Sequence, residues 1–118
     1  MEYIFICYAG VNRSPMAVDI AEKFAIKYNI RDFNAVSCGI AGLFSINPDS
    51  VRKRLNRADI IFALDQGVTT GLIKNGISPK KICNLDIEDI YPIREYPQLR
   101  KELERILTGK LEPFFVKR

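Results

Sequence analysis

Residues 3–17 read YIFICYAGVNRSPMA, and this stretch combines an apolar run, a short loop and the start of a helix. The run at 3–7 is apolar throughout, which is typical of a central parallel strand covered on both faces. Gly10 ends it, and Ser14-Pro15 is a favourable helix start with proline in the first turn. Apolar residues then recur at helical spacing: Met16, Ala17, Ile20, Ala21, Phe24, Ala25 and Tyr28. The stretch therefore predicts a strand–loop–helix unit.

The same alternation continues along the chain. Further apolar strands are predicted at 34–38, 59–64 and 81–85, and helices at 48–56, 69–75 and 98–107 with Gly109 just past the end. Apolar strands that alternate with helices predict one α/β domain over 1–118, with a parallel sheet and right-handed crossovers. Ligands of such sheets bind beyond the carboxyl ends of the strands. The loops that follow residues 7, 38 and 85 all leave from such ends, so we expect them to meet at one edge.

Composition and charge argue against several classes of partner. The chain has 118 residues, of which 47% are apolar and 27% charged, as in an ordinary globular domain. A net charge of +4 is too small and too dispersed to predict nucleic-acid binding, and the basic cluster at 52–57 is interpreted as a solvated helix face. No apolar stretch has the length of a membrane span, and the N-terminus lacks the layout of a signal peptide. We expect no membrane partner, and a reducing cytoplasm in which the cysteines are free thiols.

Histidine is absent, which removes Ser-His and Cys-His nucleophile pairs and imidazole-based zinc sites. The cysteines at 7, 38 and 83 also lack metal-ligand spacing. We therefore expect chemistry without a metal or cofactor, in which proton transfer falls to Asp, Glu, Lys, Tyr or Cys. A reactive cysteine would be activated by a helix dipole, backbone amides and arginine.

The loop between the first strand and the first helix has the features of an anion site. Its backbone amides can form a nest, and the positive end of the helix dipole points into it. Arg13 adds a planar guanidinium that matches phosphate oxygens, and Ser14 can donate a hydrogen bond to the Cys7 sulfur. These features favour a thiolate as well as a phosphate. The predicted phosphate-binding residues are Tyr8, Ala9, Gly10, Val11, Asn12, Arg13 and Ser14.

Cys7 has a second interpretation, as a small buried residue at the end of a strand. The pattern C-x5-R-S-P between an apolar strand and an amphipathic helix favours the nucleophile instead. Cys38 and Cys83 have no such pattern after them and are predicted to be core residues.

The loop CYAGVNRSP and its setting resemble the low-molecular-weight protein tyrosine phosphatases. Three later segments are similar to the family's Ser-Ala-Gly-Thr, Ala-Asp-Leu-Ile-x-x-Met-Asp/Glu and Ile-Pro-Asp-Pro-Tyr segments: SCGI at 37–40, ADIIFALD at 58–65 and DIEDIY at 86–91. Together these blocks cover the chain to about residue 107. The resemblance implies a three-layer sandwich whose four-stranded parallel sheet has the order 2-1-3-4, with helices on both faces. Asp65 matches a buried structural acid of the family.

Position by position, the resemblance implies that Cys7 is the nucleophile, Arg13 the phosphate clamp and Asp89 the general acid and base. Tyr91 matches an aromatic residue beside the pocket, and Asp86 is the reserve candidate for the acid. The implied reaction is hydrolysis of phosphotyrosine-type aryl phosphomonoesters through a phosphocysteine. The implied partners are a phosphorylated protein or a small aryl phosphate, with inorganic phosphate, sulfate or vanadate as loop ligands.

The chain departs from the family in the middle of the loop. Ala9-Gly10 stands where the family usually has Gly-Asn, and Asn12 where it often has a second cysteine. In the family that asparagine braces the loop. We therefore expect another residue to brace the loop in this chain, with Asn12 as a candidate. Ile90 replaces the proline after the acid, and the segment between the second and third strands is short.

Other functions stay open. A phosphocysteine carrier of the sugar phosphotransferase type has a Cys-x-x-Gly-x-x-Thr-Ser loop, which this chain matches except that Arg13 replaces the threonine. An arsenate reductase needs resolving cysteines after the third strand, and 65–79 contains none. An inactive phosphotyrosine-binding module is the third alternative. The candidate aromatic walls of a phosphotyrosine pocket are Tyr8, Phe44, Tyr91 and Tyr96.

Overall fold

Four parallel strands form the central sheet of the computed structural model, which describes residues 1–88 and 96–116. They are β1 (Glu2–Cys7), β2 (Asn34–Gly39), β3 (Ile60–Ala63) and β4 (Ile82–Asn84). Their order across the sheet is β2-β1-β3-β4, and each neighbouring pair is parallel. The predicted α/β class and the order 2-1-3-4 are therefore confirmed.

The helices follow the predicted order, with differences at their ends. They are α1 (Arg13–Lys27), α2 (Pro48–Asn56), α3 (Gln66–Lys74), α4 (Pro97–Leu111) and α5 (Pro113–Val116), with a 3₁₀ turn at Pro79–Lys81. Helix α3 begins before the predicted residue 69 because the Asp65 carboxylate caps it, accepting a hydrogen bond of 2.9 Å from Val68 N. The predicted stop at Gly109 is wrong. Helix α4 continues to Leu111, which is fully buried, and this burial outweighs the cost of a helical glycine.

The sheet separates two apolar cores, which makes the molecule a three-layer sandwich. Successive side chains of β1 point to opposite faces, so that Phe5 packs with α1 and α4 while Ile4 packs with Leu55 and Leu72 of α2 and α3. Helix α5 was not predicted. It places Phe115 in the first core, fully buried and 5.7 Å from the Tyr3 ring.

Part of the basic cluster of α2 is exposed, as predicted for a solvated face, and two of its arginines also make ion pairs. Arg52 donates hydrogen bonds to Asp49 and, at 2.7 Å, to the carbonyl of Asn75, the residue that follows α3. Arg54 forms a two-pronged ion pair with Glu2 of β1. The arginines therefore tie α2 to its neighbours.

Strand register brings distant segments to one edge of the sheet. Cys7 at the end of β1 is opposite Gly39 at the end of β2, and β3 and β4 end at the paired residues Ala63 and Asn84. The loops that leave these ends therefore lie side by side, as predicted. Over residues 1–88 and 96–116, no helix is long and apolar enough to cross a membrane.

Candidate active site

Cys7 lies at the carboxyl end of β1 with its sulfur held by two polar groups. Gly10 N donates a hydrogen bond of 3.1 Å to Cys7 Sγ, and Ser14 Oγ lies 3.1 Å from the same sulfur. The residue is only 3% exposed, and Ser14 is fully buried in the first turn of α1. Directed donors of this kind stabilise negative charge on a buried sulfur.

The Ser14 hydroxyl has two partners but a single proton. It can donate to the carbonyl of Cys38 at 3.4 Å or to Cys7 Sγ at 3.1 Å. While Cys7 is a thiol, its S–H can donate to Ser14, which then donates to Cys38. When Cys7 is a thiolate it has no proton, so the hydroxyl must donate to the sulfur. Ser14 is thus placed to respond to the ionisation of Cys7.

Arg13, the residue before Ser14, is buried and is held from two directions. Its Nη1 donates to Asp65 Oδ2 at 2.8 Å and to the carbonyl of Ile87 at 2.6 Å. The side chain is 2% exposed, so its orientation is fixed by contacts with the segments after β3 and β4. Sequence reasoning treated Asp65 as structural and missed its contact with Arg13. The available signal was the position of Asp65 directly after β3, the neighbour of β1.

Asp65 is an ionised partner rather than a proton donor. Burial by itself would raise the pKa of its carboxyl. Hydrogen bonds from Val68 N and Arg13, together with the guanidinium charge, outweigh burial and hold that pKa below its usual value. The carboxylate is therefore charged at neutral pH and compensates the buried arginine.

The middle of the loop is braced by the segment after β2, rather than by Asn12. Gly10 has φ +76°, and a Cβ there would lie 2.6 Å from Gly39 N. A Cβ on Gly39 would in turn lie 2.4 Å from the carbonyl carbon of Ala9. Asn12 is the N-cap residue of α1, but its side chain makes no capping hydrogen bond.

Two backbone hydrogen bonds complete this brace. Ile40 N donates to Cys7 O at 2.8 Å, and Ala41 N donates to Tyr8 O at 3.0 Å. They extend the β1–β2 pairing into the two loops. The departure of Ala9-Gly10 from the family pattern is therefore accommodated by close backbone contact between glycines.

The outer side of the loop is open. Tyr8 and Val11 are 61% and 58% exposed, and Ala9 is also exposed, above the buried Cys7 and Arg13. Phe44 is half-buried and packs against the core on the α2 side. Tyr96 is exposed at the start of α4. Tyr91 lies outside the described residues.

The acidic segment after β4 passes next to Arg13. Asp86 and Glu88 are exposed, and between them the buried Ile87 gives its carbonyl to the guanidinium. Asp86 has φ +56°, and its backbone N–H is held at 2.8 Å by the side chain of Asn84. Asp89, the predicted general acid, lies outside the described residues. The predicted acid loop therefore contacts Arg13 through the backbone of Ile87.

The two other cysteines lie in strands β2 and β4 rather than in the loop. Cys38 and Cys83 are half-buried in their strands and pack against opposite cores, and all three cysteines are free thiols. Burial, and after it the nearby Cys7, raises the pKa of Cys38 to about 11, which keeps it a neutral thiol. Within the described residues, no group of three or more His, Cys, Asp or Glu side chains is arranged to hold a metal ion.

Comparison of the sequence with models of known protein families gives no match, and comparison with curated proteins gives none. Solved structures do match. A protein tyrosine phosphatase from Entamoeba histolytica, with Hepes in its active site, has a TM-score of 0.81 at 17% identity, over 99% of this chain and 96% of that one. A low-molecular-weight protein tyrosine phosphatase from T. tengcongensis has a TM-score of 0.79 at 19% identity, over 100% and 99% of the two chains.

A third similar structure is YwlE, a Bacillus subtilis protein described as an arginine phosphatase. It was solved as a mutant with a phosphorylated active-site serine, and it has a TM-score of 0.69 at 19% identity, over 96% of this chain and 94% of that one. The chain therefore has the fold of the low-molecular-weight protein tyrosine phosphatases, as the sequence resemblance predicted.

Proposed function

We propose that this chain is a cysteine-dependent phosphatase that hydrolyses phosphotyrosine-type aryl phosphomonoesters. The observation that carries the proposal is the placement of Cys7 Sγ, 3.1 Å from both Gly10 N and Ser14 Oγ, in a loop that also holds the buried Arg13. This arrangement provides a nucleophile and a positive charge at the amino end of a helix. The fold shared with solved phosphatases supports the same reaction.

In the first step the Cys7 thiolate attacks phosphorus in line with the bond to the aryl oxygen. An S–P bond forms as the P–O bond breaks, and the leaving oxygen takes a proton from a carboxylic acid. Arg13 and the loop amides stabilise the charge on the equatorial oxygens. Asp65 and Ile87 keep the guanidinium in place during this step.

In the second step a water molecule attacks the phosphocysteine. The carboxylate formed in the first step accepts a proton from this water, the S–P bond breaks, and inorganic phosphate leaves. The thiolate is regenerated, stabilised by the Gly10 amide and the Ser14 hydroxyl. We assign the acid and base to Asp89 from the family resemblance, with Asp86 as the reserve. The acidic segment that leads to Asp89 contacts Arg13 through Ile87, which supports this assignment.

Hydrolysis of p-nitrophenyl phosphate tests the assignment of the nucleophile. Cys7→Ser is expected to abolish turnover, and vanadate, which mimics pentacoordinate phosphorus, is expected to inhibit the wild type. Cys83→Ser is the matched control, since Cys83 lies in β4 away from the loop. Full activity of the Cys7→Ser protein overturns the proposal.

Comparing substrates with good and poor leaving groups tests which residue is the general acid. p-Nitrophenolate leaves readily without a proton, whereas phenolate does not. Loss of the general acid is therefore expected to lower kcat/KM, which reports the first step, by about 10²–10⁴-fold on phenyl phosphate and by much less on p-nitrophenyl phosphate. We expect this pattern from Asp89→Asn, with Asp86→Asn and Glu88→Gln made in parallel. The same pattern in Asp86→Asn alone would move the role to Asp86.

A phosphocysteine carrier remains the second candidate, because Gly10 matches the carrier loop and needs its positive φ. A carrier would hold phosphate on Cys7 without releasing it. A single-turnover measurement separates the two, since a phosphatase releases one inorganic phosphate for each phenol.

Phosphoarginine is tested as a third substrate beside p-nitrophenyl phosphate and phenyl phosphate, because one similar structure is an arginine phosphatase.

A further inference from the structure

A cavity of about 550 Å³ lies beside the phosphate loop, residues 8–12, between the loops after β1 and β2 and helix α3. Tyr8 lines it from the loop after β1, Ile40 and Ala41 line it from the loop after β2, and Gly67, Val68 and Gly71 line it from the helix. We call this cavity the flanking cavity.

The helix side of the flanking cavity is formed largely by backbone. Gly67 and Gly71 are one turn apart, and a Cβ on Gly71 would lie 2.6 Å from Ile40 Cδ1. A glycine inside a helix costs about 1 kcal/mol relative to alanine. At Gly71 the Ile40 side chain occupies the space that a side chain on α3 would need, so the open volume of the cavity lies beside this contact.

Two of the residues that line the flanking cavity are neighbours of the proposed phosphate site. Tyr8 directly follows Cys7, and Asp65, which also lines the cavity, bonds Arg13 at 2.8 Å. A volume of about 550 Å³ lies in the range of sites that hold organic groups and greatly exceeds what a phosphate needs. A group attached to a loop-bound phosphate would therefore extend along this cavity.

We propose that the flanking cavity binds an apolar side chain next to the phosphotyrosine of a peptide substrate. This inference rests on the proposed phosphatase function and names its substrate class, a phosphorylated protein rather than a small aryl phosphate. Ile40, Val68 and the Tyr8 ring supply apolar surface. The Asp65 carboxylate disfavours an acidic side chain there, since like charges repel across a desolvated contact.

Filling the cavity tests the inference. Gly67→Leu places a side chain in the flanking cavity, and its Cβ position is 3.4 Å from the nearest atom, Asp65 Oδ1, an ordinary contact. Gly109→Leu is the matched control, because no atom lies within 4 Å of its Cβ position in α4. The substrates are three phosphotyrosine peptides that differ only in having Leu, Gly or Glu beside the phosphotyrosine, together with p-nitrophenyl phosphate.

The wild type is expected to favour the Leu peptide over the Glu peptide by about tenfold in kcat/KM, which is what burial of one apolar side chain supplies. Gly67→Leu is expected to remove this preference. It should also lower the ratio of kcat/KM on the Leu peptide to kcat/KM on p-nitrophenyl phosphate by about tenfold. Gly109→Leu should keep both quantities at their wild-type values.

A wild type that shows no preference among the peptides, or a Gly67→Leu protein that keeps the preference, overturns the inference. If Gly67→Leu does not fold, Ala41→Leu fills the same cavity from the loop side and is held to the same expectations. If the wild type hydrolyses none of the substrates, the proposed function fails instead. In that case tighter binding of the Leu peptide than of the Glu peptide, measured by fluorescence polarisation, still supports the flanking cavity, and equal binding overturns it.

Discussion

At the scale of single residues, the site depends on two buried polar contacts. One is the approach of Ser14 Oγ to Cys7 Sγ, and the other is the ion pair of Arg13 with Asp65. Buried polar groups are costly unless they are paired, so these contacts fix the side chains in one arrangement. Each can be removed by a nearly isosteric substitution.

Ser14→Ala removes the only side-chain hydroxyl described within hydrogen-bond distance of Cys7 Sγ. A hydrogen bond to a charged group contributes about 1.5–3 kcal/mol, so kcat on p-nitrophenyl phosphate is expected to fall about tenfold or more. KM should change little, because the lost bond is to the nucleophile. Ser45→Ala is the control, since Ser45 Oγ bonds the exposed Gly42 carbonyl. Unchanged kcat in Ser14→Ala would contradict a role for this hydroxyl.

Asp65→Asn leaves the guanidinium of Arg13 buried without its compensating charge, so the free energy of unfolding is expected to fall by about 3 kcal/mol at pH 7. The pKa of Asp65 is held below its usual value in the folded state, so this stabilisation exists at neutral pH and is lost as pH falls. Urea unfolding of both proteins from pH 7 to pH 3 measures the difference. The difference in free energy of unfolding between the two proteins should narrow below about pH 4. A difference that stays constant with pH would contradict the ion-pair explanation.

At the scale of elements, the phosphate loop and the segment after β2 behave as one unit. The backbone of Ala9-Gly10 lies directly against Gly39, and two backbone hydrogen bonds join the same loops. A side chain on either loop at this contact would force the loops apart. The shape of the phosphate site therefore depends on an element that supplies none of its reacting groups.

Gly39→Ala tests this dependence. The new Cβ would lie 2.4 Å from the carbonyl carbon of Ala9, so the backbone must move. We expect a loss of about 1–3 kcal/mol in stability and a fall in kcat/KM on p-nitrophenyl phosphate. Gly109→Ala is the control and should stabilise α4 by up to about 1 kcal/mol with unchanged activity. Wild-type activity and stability in Gly39→Ala would contradict the close contact.

At the scale of the whole molecule, the parallel sheet gathers four segments that are distant in the chain. Cys7, Gly39, Asp65 and Ile87 each follow or end a different strand, and all reach the same edge. A ligand in the loop contacts groups whose positions depend on the entire sheet. Ligand binding should therefore be coupled to global stability.

Vanadate or phosphate is expected to raise Tm because each binds the folded loop and has no site in the unfolded chain. At a ligand concentration one hundred times Kd the stabilisation is about 2.7 kcal/mol, equivalent to a rise of several degrees. Differential scanning fluorimetry over a ligand series measures it. Arg13→Ala should show no such rise, and chloride at matched ionic strength is the salt control. A rise of equal size in Arg13→Ala would place the bound anion elsewhere.

Local patterns were sufficient for the order of the four strands and of helices α1 to α4, and for placing Cys7 before Arg13 and Ser14 at a strand–helix junction, but not for α5. The apolar run of β1 and the Ser-Pro start of α1 act through local backbone preference and burial, which the sequence displays directly. The exact end of α4 was not predictable, since burial of Leu111 in the core overrides the local signal of Gly109.

The sequence by itself determined the α/β class, the position of Cys7 between a strand and a helix, and the absence of histidine from any mechanism. Only the tertiary structure decided what braces the loop and what holds Arg13. The brace is a backbone contact between Gly10 and Gly39, and the second partner of Arg13 is the carbonyl of Ile87. Backbone groups are present at every residue, so no residue type signals them. Which backbone groups come into contact depends on strand register, which is a property of the assembled sheet.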